Sequence, residues 1–256
     1  MLLILRSGSK AFNMEVDIKR VDVNGRRHYQ IKDGGGHIHT YPSVTTILGN
    51  TSDKSGLEKW KKRVGVEEAN RISKLSMNRG TVMHRLVELY KPMDGTNQAR
   101  LDKLKEISKT DEEITQFDTE FIHAGWEMFM KFWTNHELFF DRVEKVLESE
   151  TFLWSSLGYA GTVDNISKMK DGNILVIDYK NSRRPKKDEW IQDYYLQLAS
   201  YHVAYYQQSR TIADGAEIWI ANENDTIPQI FTLTKTDIKY YFEEFLKRLK
   251  KYNENI

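Results

Sequence analysis

Two carboxylates and one lysine at the ends of strand-like segments are the side chains best suited to chemistry. Asp178 and Lys180 close the apolar run that begins at Ile174, and Asp164 closes the segment Gly161-Thr-Val-Asp. Because strand side chains alternate between faces, Asp178 and Lys180 should point the same way. Carboxylate oxygens bind Mg²⁺ or Mn²⁺, which polarises a phosphate oxygen and lowers the pKa of bound water. The pattern indicates phosphodiester hydrolysis, whereas an isolated Asp-x-Lys is usually a strand-end salt bridge.

A histidine upstream is the candidate nitrogen ligand. His84 and Glu88 are four residues apart in a helical pattern and therefore share a face. If this helix packs beside the carboxylates, the imidazole would add a metal ligand and Glu88 could orient the ring. The alternative is a surface or hydrogen-bonded core histidine, which is the commoner role. His37 and His39 also share a face, but we interpret them as the surface of a hairpin.

A glutamine and a tyrosine downstream are one helical turn apart. Gln197 and Tyr201 share a stripe with Trp190, Tyr194 and Tyr205, and packing against the sheet is the simplest interpretation of the aromatic residues. An unpaired buried amide costs about 1–3 kcal/mol, so Gln197 needs a polar partner. If it faces the metal site, it could hold a catalytic water or the lysine.

Two basic stretches, 59–63 and 183–187, are candidate DNA contacts. Runs of charge are usually solvated loops, but the second stretch borders the proposed site. Trp60 and Tyr41 could stack on the bases of a single strand. The candidate basic contacts are Lys62, Arg79, Arg183, Arg184 and Lys186.

Composition excludes several classes of protein. The 256 residues include no cysteine, which excludes disulfides, thiolate zinc sites, iron–sulfur clusters and cysteine nucleophiles. The net charge of +1 means that any nucleic-acid binding must come from local basic patches. No apolar run reaches the roughly 20 residues of a membrane span, and the start is too short for a signal peptide. No phosphate-binding loop, dinucleotide fingerprint or serine nucleophile elbow is present. We expect a cytoplasmic protein without membrane contact.

Apolar periodicity and turn residues predict the elements that must position these side chains. Residues 1–27 show no periodicity; a β-hairpin follows over 28–41 with a glycine tip at 33–36, and Pro42 and Ser43 open a short helix. The further predicted helices are 55–90 (broken between Ser76 and Gly80), 117–132, 188–208 and 234–252, and the further strands are 139–154, 158–169, 173–181, 215–221 and 229–233.

We expect a single domain over residues 1–256, because no linker-like composition divides it. Residues 1–136 would form the hairpin and a helical N-terminal part. Residues 137–256 would form a β-β-β-α-β catalytic core. The fold class is therefore α/β.

Four motifs in this order resemble the nuclease signature of the PD-(D/E)XK superfamily. They are Gly80-x-x-x-His84, Gly161-Thr-Val-Asp164, Val176-Ile-Asp178-Tyr-Lys180 and Gln197-Leu-Ala-Ser-Tyr201. The first and last resemble the RecB-like branch in particular. The segments 41–48 and 57–61 look closer still to the mitochondrial genome maintenance exonuclease group and its phage relatives. The resemblance covers about residues 40–250 and is weak between about 92 and 140.

The resemblance implies a restriction-endonuclease-like core, in which helices flank a mixed central sheet, and a site on it. A Mg²⁺ or Mn²⁺ ion would be held by His84, Asp164, Asp178 and the backbone carbonyl of Tyr179. Lys180 would be the catalytic lysine, with Gln197 and Tyr201 completing the catalytic set. Glu150 matches a recurrent family glutamate and, like Glu88, is a possible further member. The residues implied to lie against single-stranded DNA are Ser43, Thr45, Thr46 and Trp60.

These observations lead to one main hypothesis and two alternatives. The main hypothesis is a Mg²⁺- or Mn²⁺-dependent DNA exonuclease acting on single-stranded ends, in the host cytoplasm if the gene is carried by a phage. The alternatives are a structure-specific endonuclease with the same site, and a non-catalytic nucleic-acid-binding module on the same fold. The expected partner is DNA with single-stranded ends, and the sequence does not identify protein partners.

Overall fold

A computed structural model describes residues 17–33, 35–91 and 93–254 of the chain. The strands are Asp17–Val23 (β1), Arg26–Lys32 (β2), Ile38–Pro42 (β3), Val143–Ser155 (β4), Tyr159–Met169 (β5), Ile174–Ser182 (β6), Gly215–Asn222 (β7) and Gln229–Leu233 (β8). The α-helices are Val44–Thr51 (α1), Ser55–Val64 (α2), Val66–Tyr90 (α3), Asn97–Ser108 (α4), Glu112–Thr115 (α5), Thr119–Thr134 (α6), Gln192–Ser209 (α7) and Lys235–Glu254 (α8). Short 3₁₀ turns span His136–Leu138, Phe140–Arg142 and Asp188–Trp190.

The larger sheet has the strand order β4-β5-β6-β7-β8. Strands β6 and β7 run parallel, and the other neighbouring pairs run antiparallel. Helix α7 supplies the crossover that two parallel strands require. The sheet is therefore mixed and flanked by helices, which confirms the predicted α/β class.

Both faces of this sheet are covered, which explains why the first four residues of β6 and most of β7 are apolar. Val176 and Ile218 belong to a buried cluster shared with α7 and α8. Ile177 and Trp219 belong to a second cluster shared with α3 and α6. Because side chains alternate along β6, Asp178 faces the α7 layer together with Val176.

The smaller sheet has the order β1-β2-β3 and packs against β4 and β5 through Tyr29, Ile31 and Phe152. The pairing of β2 with β3 confirms the predicted hairpin. The expectation that no regular element precedes residue 28 is wrong for β1. Ile18 is buried, but most of its neighbours in this edge strand are exposed, so no alternation marks the strand. Residues 1–16 lie outside the described part of the chain.

The predicted break between Ser76 and Gly80 is also wrong, because α3 continues through both positions. The break lies at Gly65, which has a φ of 87° and ends α2. Gly80 has a different role. A Cβ at that position would lie 2.5 Å from Asn181 Nδ2, so glycine allows α3 to approach β6 closely.

The other predicted elements match the structure to within a few residues at their ends, whereas α4 and α5 were not predicted. Ser43 caps α1 by accepting a hydrogen bond from the backbone N–H of Thr46 at 2.9 Å. Strand β4 begins at Val143 and not at Phe139, because 3₁₀ turns occupy the intervening residues. None of the helices in the described part of the chain is long and apolar enough to cross a bilayer.

Candidate active site

The two acidic motifs meet where the pairing of β5 with β6 ends. The last register pair on this side joins Asn165 to Ile177, so Asp164 and Asp178 follow directly beyond it. Beyond this pair a side chain takes the place of the backbone hydrogen bonds between the two strands. Asp164 Oδ2 accepts a hydrogen bond from the backbone N–H of Tyr179 at 2.8 Å. Both carboxylates are buried, with Asp178 only 1% exposed. The strand end therefore holds two carboxylates out of water.

Asp178 is the centre of a buried polar group. Lys180 forms an ion pair with its Oδ2, as the alternation of side chains in β6 predicts. Gln197, on α7, donates a hydrogen bond from Nε2 to Asp178 Oδ1 at 3.1 Å. The Lys180 ammonium also lies 5.3 Å from the ring centroid of Tyr194. Gln197 therefore satisfies its amide with the carboxylate itself.

Helix α3 brings His84 to the same strand end. Its Nδ1 lies 3.4 Å from Asp164 Oδ2, and its ring meets that of Tyr179 edge-on at 6.0 Å. Burial lowers the pKa of His84, which favours the neutral ring that a metal requires.

Glu150 completes a group with the donor types of a metal site. The ligand atoms of His84, Glu150 and Asp164 all lie within 4.8 Å of one another. In the β4–β5 register Glu150 falls opposite Asp164, between the pairs Ser149–Asn165 and Thr151–Val163. Its φ of 47° is left-handed, which is strained for a glutamate inside a strand. The backbone is thus distorted at the residue that joins the group.

The carboxylates repel one another in the absence of a cation. Burial, followed by repulsion from Asp164 and Glu88, raises the pKa of Glu150 to about 9. Burial raises the pKa of Asp178 to about 7, although Lys180 acts in the opposite direction. A divalent cation would favour the ionised carboxylates, so two carboxylates and an imidazole fit a Mg²⁺ or Mn²⁺ ion.

Comparison with known proteins agrees with this geometry. A family model described as the PD-(D/E)XK nuclease superfamily matches residues 59–255. The chain belongs to the PD-(D/E)XK nuclease superfamily. The resemblance drawn from the motifs is therefore confirmed at the level of the superfamily, while the closer likeness to the mitochondrial genome maintenance group stays a prediction.

Two solved structures resemble this superfamily member at low identity. One is a protein from Eubacterium rectale described as a candidate exonuclease, with 13% identity and a TM-score of 0.40, over 70% of this chain and 69% of that one. The other is SSO0001, with 14% identity and a TM-score of 0.32, over 63% of this chain and 74% of that one. No curated protein matches the sequence. Similarities this low do not bear on the activity of this chain.

Membership of the PD-(D/E)XK superfamily makes the chain a nuclease, with DNA as the implied substrate class. Divalent metals are the usual cofactors of these nucleases, and the group of His84, Glu150 and Asp164 is a possible site for one. Thiolate-bound iron–sulfur clusters are excluded because the sequence has no cysteine.

Packing links the Gly-x-x-Asp and Gln-x-x-x-Tyr motifs in this nuclease. Tyr201 is buried, and a Cβ on Gly161 would lie 2.7 Å from its hydroxyl oxygen. Glycine is therefore required for α7 to pack onto β5 at this point. Tyr201 supports the strand that carries Asp164, while Gln197 contacts Asp178 directly.

Glu88 and Lys91 lie on the same helix end as His84. Glu88 Oε2 accepts a hydrogen bond from Arg85 Nη1 at 2.8 Å, and Arg85 also pairs with Asp111. Lys91 was not predicted from the sequence, although it follows His84 by seven residues, which is two helical turns. Its ammonium lies 3.4 Å from the carbonyl oxygen of Asp164 and 5.1 Å from the ring centroid of Tyr179.

A cleft of about 670 Å³ lies beside the loop that follows β6. It is lined by Trp60, Arg63, Val64, Ile72, Arg183, Arg184, Pro185, Lys186 and Trp190. The interpretation of Trp190 as a packing residue is wrong, because it lies in a 3₁₀ turn before α7 and is 58% exposed. Arg183 follows Lys180 by three residues, so the cleft begins at most roughly 11 Å along the chain from the site.

Two of the other candidate DNA contacts, Arg79 and Ser43, are held by hydrogen bonds within the fold, whereas Lys62 is not. Arg79 is 3% exposed, donates from Nε to Asn181 Oδ1 at 2.8 Å and forms an ion pair with Glu223. Ser43 is buried, and its hydroxyl is hydrogen-bonded to those of Thr45 and Thr46. Lys62 is exposed on α2 outside the cleft lining. Their contact with DNA stays a prediction.

Proposed function

We propose that this nuclease is a Mg²⁺- or Mn²⁺-dependent deoxyribonuclease that acts on the ends of single-stranded DNA. The observation that carries the proposal is the meeting of two groups at one strand end. His84, Glu150 and Asp164 form a set of metal-type donors, and next to it the buried Asp178 forms an ion pair with the half-buried Lys180.

The proposed roles follow from these contacts. His84, Glu150 and Asp164 would hold the ion, with Asp178 and the Tyr179 carbonyl as the further ligands expected from the motif. Once bound, the ion would supply positive charge that stabilises the phosphate as it is attacked. Lys180, held by Asp178, would donate a hydrogen bond to a phosphate oxygen or orient the attacking water. Gln197 would fix the Asp178 carboxylate so that Lys180 keeps its direction.

The cleft supports a single-stranded substrate. Trp60 and Trp190 offer two indole rings, and Arg63, Arg183, Arg184 and Lys186 offer four cations for phosphates. Aromatic rings bind unpaired bases by stacking, whereas duplex bases are already stacked on each other. The preference for ends rests on the likeness of segments 41–48 and 57–61 to the mitochondrial genome maintenance exonucleases and their phage relatives.

Digestion of four labelled substrates tests the proposal: linear single-stranded, circular single-stranded, linear duplex and nicked duplex DNA, each with Mg²⁺, Mn²⁺ or EDTA. We expect metal-dependent loss of the linear single strand and survival of the circle, because an exonuclease needs an end. Asp164→Asn should lose this activity, whereas Asp171→Asn, in the exposed turn between β5 and β6, is its matched control and should keep it.

Each alternative has its own outcome in this experiment. Cleavage of the circle at the rate of the linear strand would replace the proposal with an endonuclease. Binding of labelled DNA without cleavage in either metal would replace it with a non-catalytic binding module.

A further inference from the structure

The basic loop that follows β6, residues 183–187, has no regular secondary structure, but side chains hold its backbone. Gln229, the first residue of β8, bonds the backbone of Lys186 with both ends of its amide. Its Oε1 accepts a hydrogen bond from the Lys186 N–H at 2.6 Å, and its Nε2 donates one to the Lys186 carbonyl oxygen at 2.9 Å. One side chain therefore satisfies both polar groups of this backbone unit, as a neighbouring strand would do.

Two further features restrict the basic loop. The Ser182 hydroxyl donates a hydrogen bond to the carbonyl oxygen of Arg184 at 2.8 Å. Pro185 has a fixed φ and keeps the residue before it out of the helical region. The backbone is therefore held at three consecutive residues, 184–186, and their side chains leave it from defined positions.

The Lys186 side chain lines the cleft together with Arg184 and Trp190. It is half-buried, and burial lowers its pKa. In the part of the chain that the structure describes, no carboxylate forms an ion pair with it. Removing a cation from water without a paired anion costs free energy, so this position favours an anionic ligand. The phosphates of a DNA strand are anions of that kind.

We propose that Gln229 is a positioning residue for DNA binding, because it fixes the backbone of Lys186 and so directs the ammonium towards a phosphate of a strand in the cleft. Preorganised groups bind more tightly, since less freedom is lost when the ligand arrives. Gln229 is not among the residues that line the cleft, so its effect would pass through Lys186. The inference rests on the DNA-binding cleft of the proposed function and adds a residue behind it.

A double-mutant cycle tests the inference. Because Gln229 bonds the backbone of Lys186, Lys186→Gln removes the charge and leaves both bonds possible. Fluorescence anisotropy in EDTA gives the affinity for labelled single-stranded DNA of the wild type, Lys186→Gln, Gln229→Met and the double variant. We expect each single variant to bind roughly 2- to 12-fold more weakly, and the double variant to bind no more weakly than Lys186→Gln.

The salt dependence of binding is a second readout, which a purely structural role would not change. Lys186→Gln and Gln229→Met should each reduce the slope of log affinity against log salt concentration by about 0.7, the share of one phosphate in a single strand. Gln208→Met is the matched control, because Gln208 is also half-buried and donates to a backbone carbonyl, that of Trp154, at 2.8 Å. It should keep the wild-type affinity and slope.

Losses of affinity that multiply in the double variant, a wild-type slope in folded Gln229→Met, or unchanged binding by Lys186→Gln would overturn the inference. Circular dichroism reports folding; if Gln229→Met does not fold, Gln229→Asn, whose side chain is one methylene shorter and cannot keep both bonds, replaces it in the cycle. The failure of the proposed function is distinguishable. A wild type that does not bind single-stranded DNA removes the role of the cleft itself, whereas binding with multiplying losses removes only the role of Gln229.

Discussion

The Tyr201 ring lies directly over Gly161, with 2.7 Å between its hydroxyl oxygen and the position that a Cβ on the glycine would occupy. This contact joins α7 to β5 below the carboxylate of Asp164. Two motifs that are separated in sequence are thus linked by packing. Gly161 is constrained by the space that Tyr201 fills and not by its own φ, which is not left-handed.

Gly161→Ala should therefore destabilise the protein by about 1–3 kcal/mol, which is the usual cost of overpacking. The free energy of unfolding from urea titration measures the effect. In a Tyr201→Leu background the same alanine should cost much less, because the ring that it meets is gone. Gly49→Ala, in α1 with open space around it, is the control and should be neutral or slightly stabilising. Equal costs of Gly161→Ala in both backgrounds would contradict the packing explanation.

Much of this site could be predicted from sequence because its parts lie on regular elements. Strand alternation gave the common direction of Asp178 and Lys180, and helical spacing put Gln197 and Tyr201 on one face. Which helix approaches the strand end is a matter of tertiary packing. For His84, the motif supplied the assignment that spacing alone left open.

Other features of the site could not be derived from the spacing of residues alone. Glu150 reaches the group because its own backbone is left-handed inside a strand, and the residue type does not predict that distortion. Lys91 looks like an ordinary lysine at a helix end until the helix is packed onto β6. Trp190 shares the helical stripe of Gln197 by spacing, but α7 starts at Gln192, so the indole faces the cleft instead.

The metal-free protein should lose stability as pH rises. The pKa of Glu150 is raised to about 9 in the folded protein, mainly by burial, and is about 4.3 in an unfolded chain. Between these values the folded state binds more protons than the unfolded state, so the free energy of unfolding falls with rising pH. Asp178, with its pKa raised to about 7, acts in the same direction up to that pH. Thermal melts from pH 5 to pH 9 in EDTA measure the slope.

Glu150→Gln should flatten this pH dependence, because an amide has no proton to lose. Saturating Mn²⁺ should raise the melting temperature of the wild type more at pH 8 than at pH 6, since the ion binds ionised carboxylates. Equal slopes in wild type and Glu150→Gln would show that this carboxyl is not the group responsible.

The cleft should bind unpaired bases through its two indoles. Trp190→Ala should weaken binding of single-stranded DNA by roughly 5- to 150-fold, as expected for about 1–3 kcal/mol per stacked base. Fluorescence anisotropy in EDTA separates binding from cleavage. Tyr240→Ala, an equally exposed aromatic on α8, is the control and should bind as the wild type does. Unchanged affinity in Trp190→Ala would show that the cleft does not bind the DNA.

The central claim is that one metal-dependent site at the end of β5 and β6 cuts DNA. Its most direct measurement is the initial rate of digestion of end-labelled single-stranded DNA with Mn²⁺ by the wild type, Asp164→Asn, Lys180→Met and Asp171→Asn. We predict rates at least roughly 100-fold lower for Asp164→Asn and Lys180→Met, with binding of DNA retained, and a wild-type rate for Asp171→Asn. Wild-type rates in Asp164→Asn or in Lys180→Met would contradict the account.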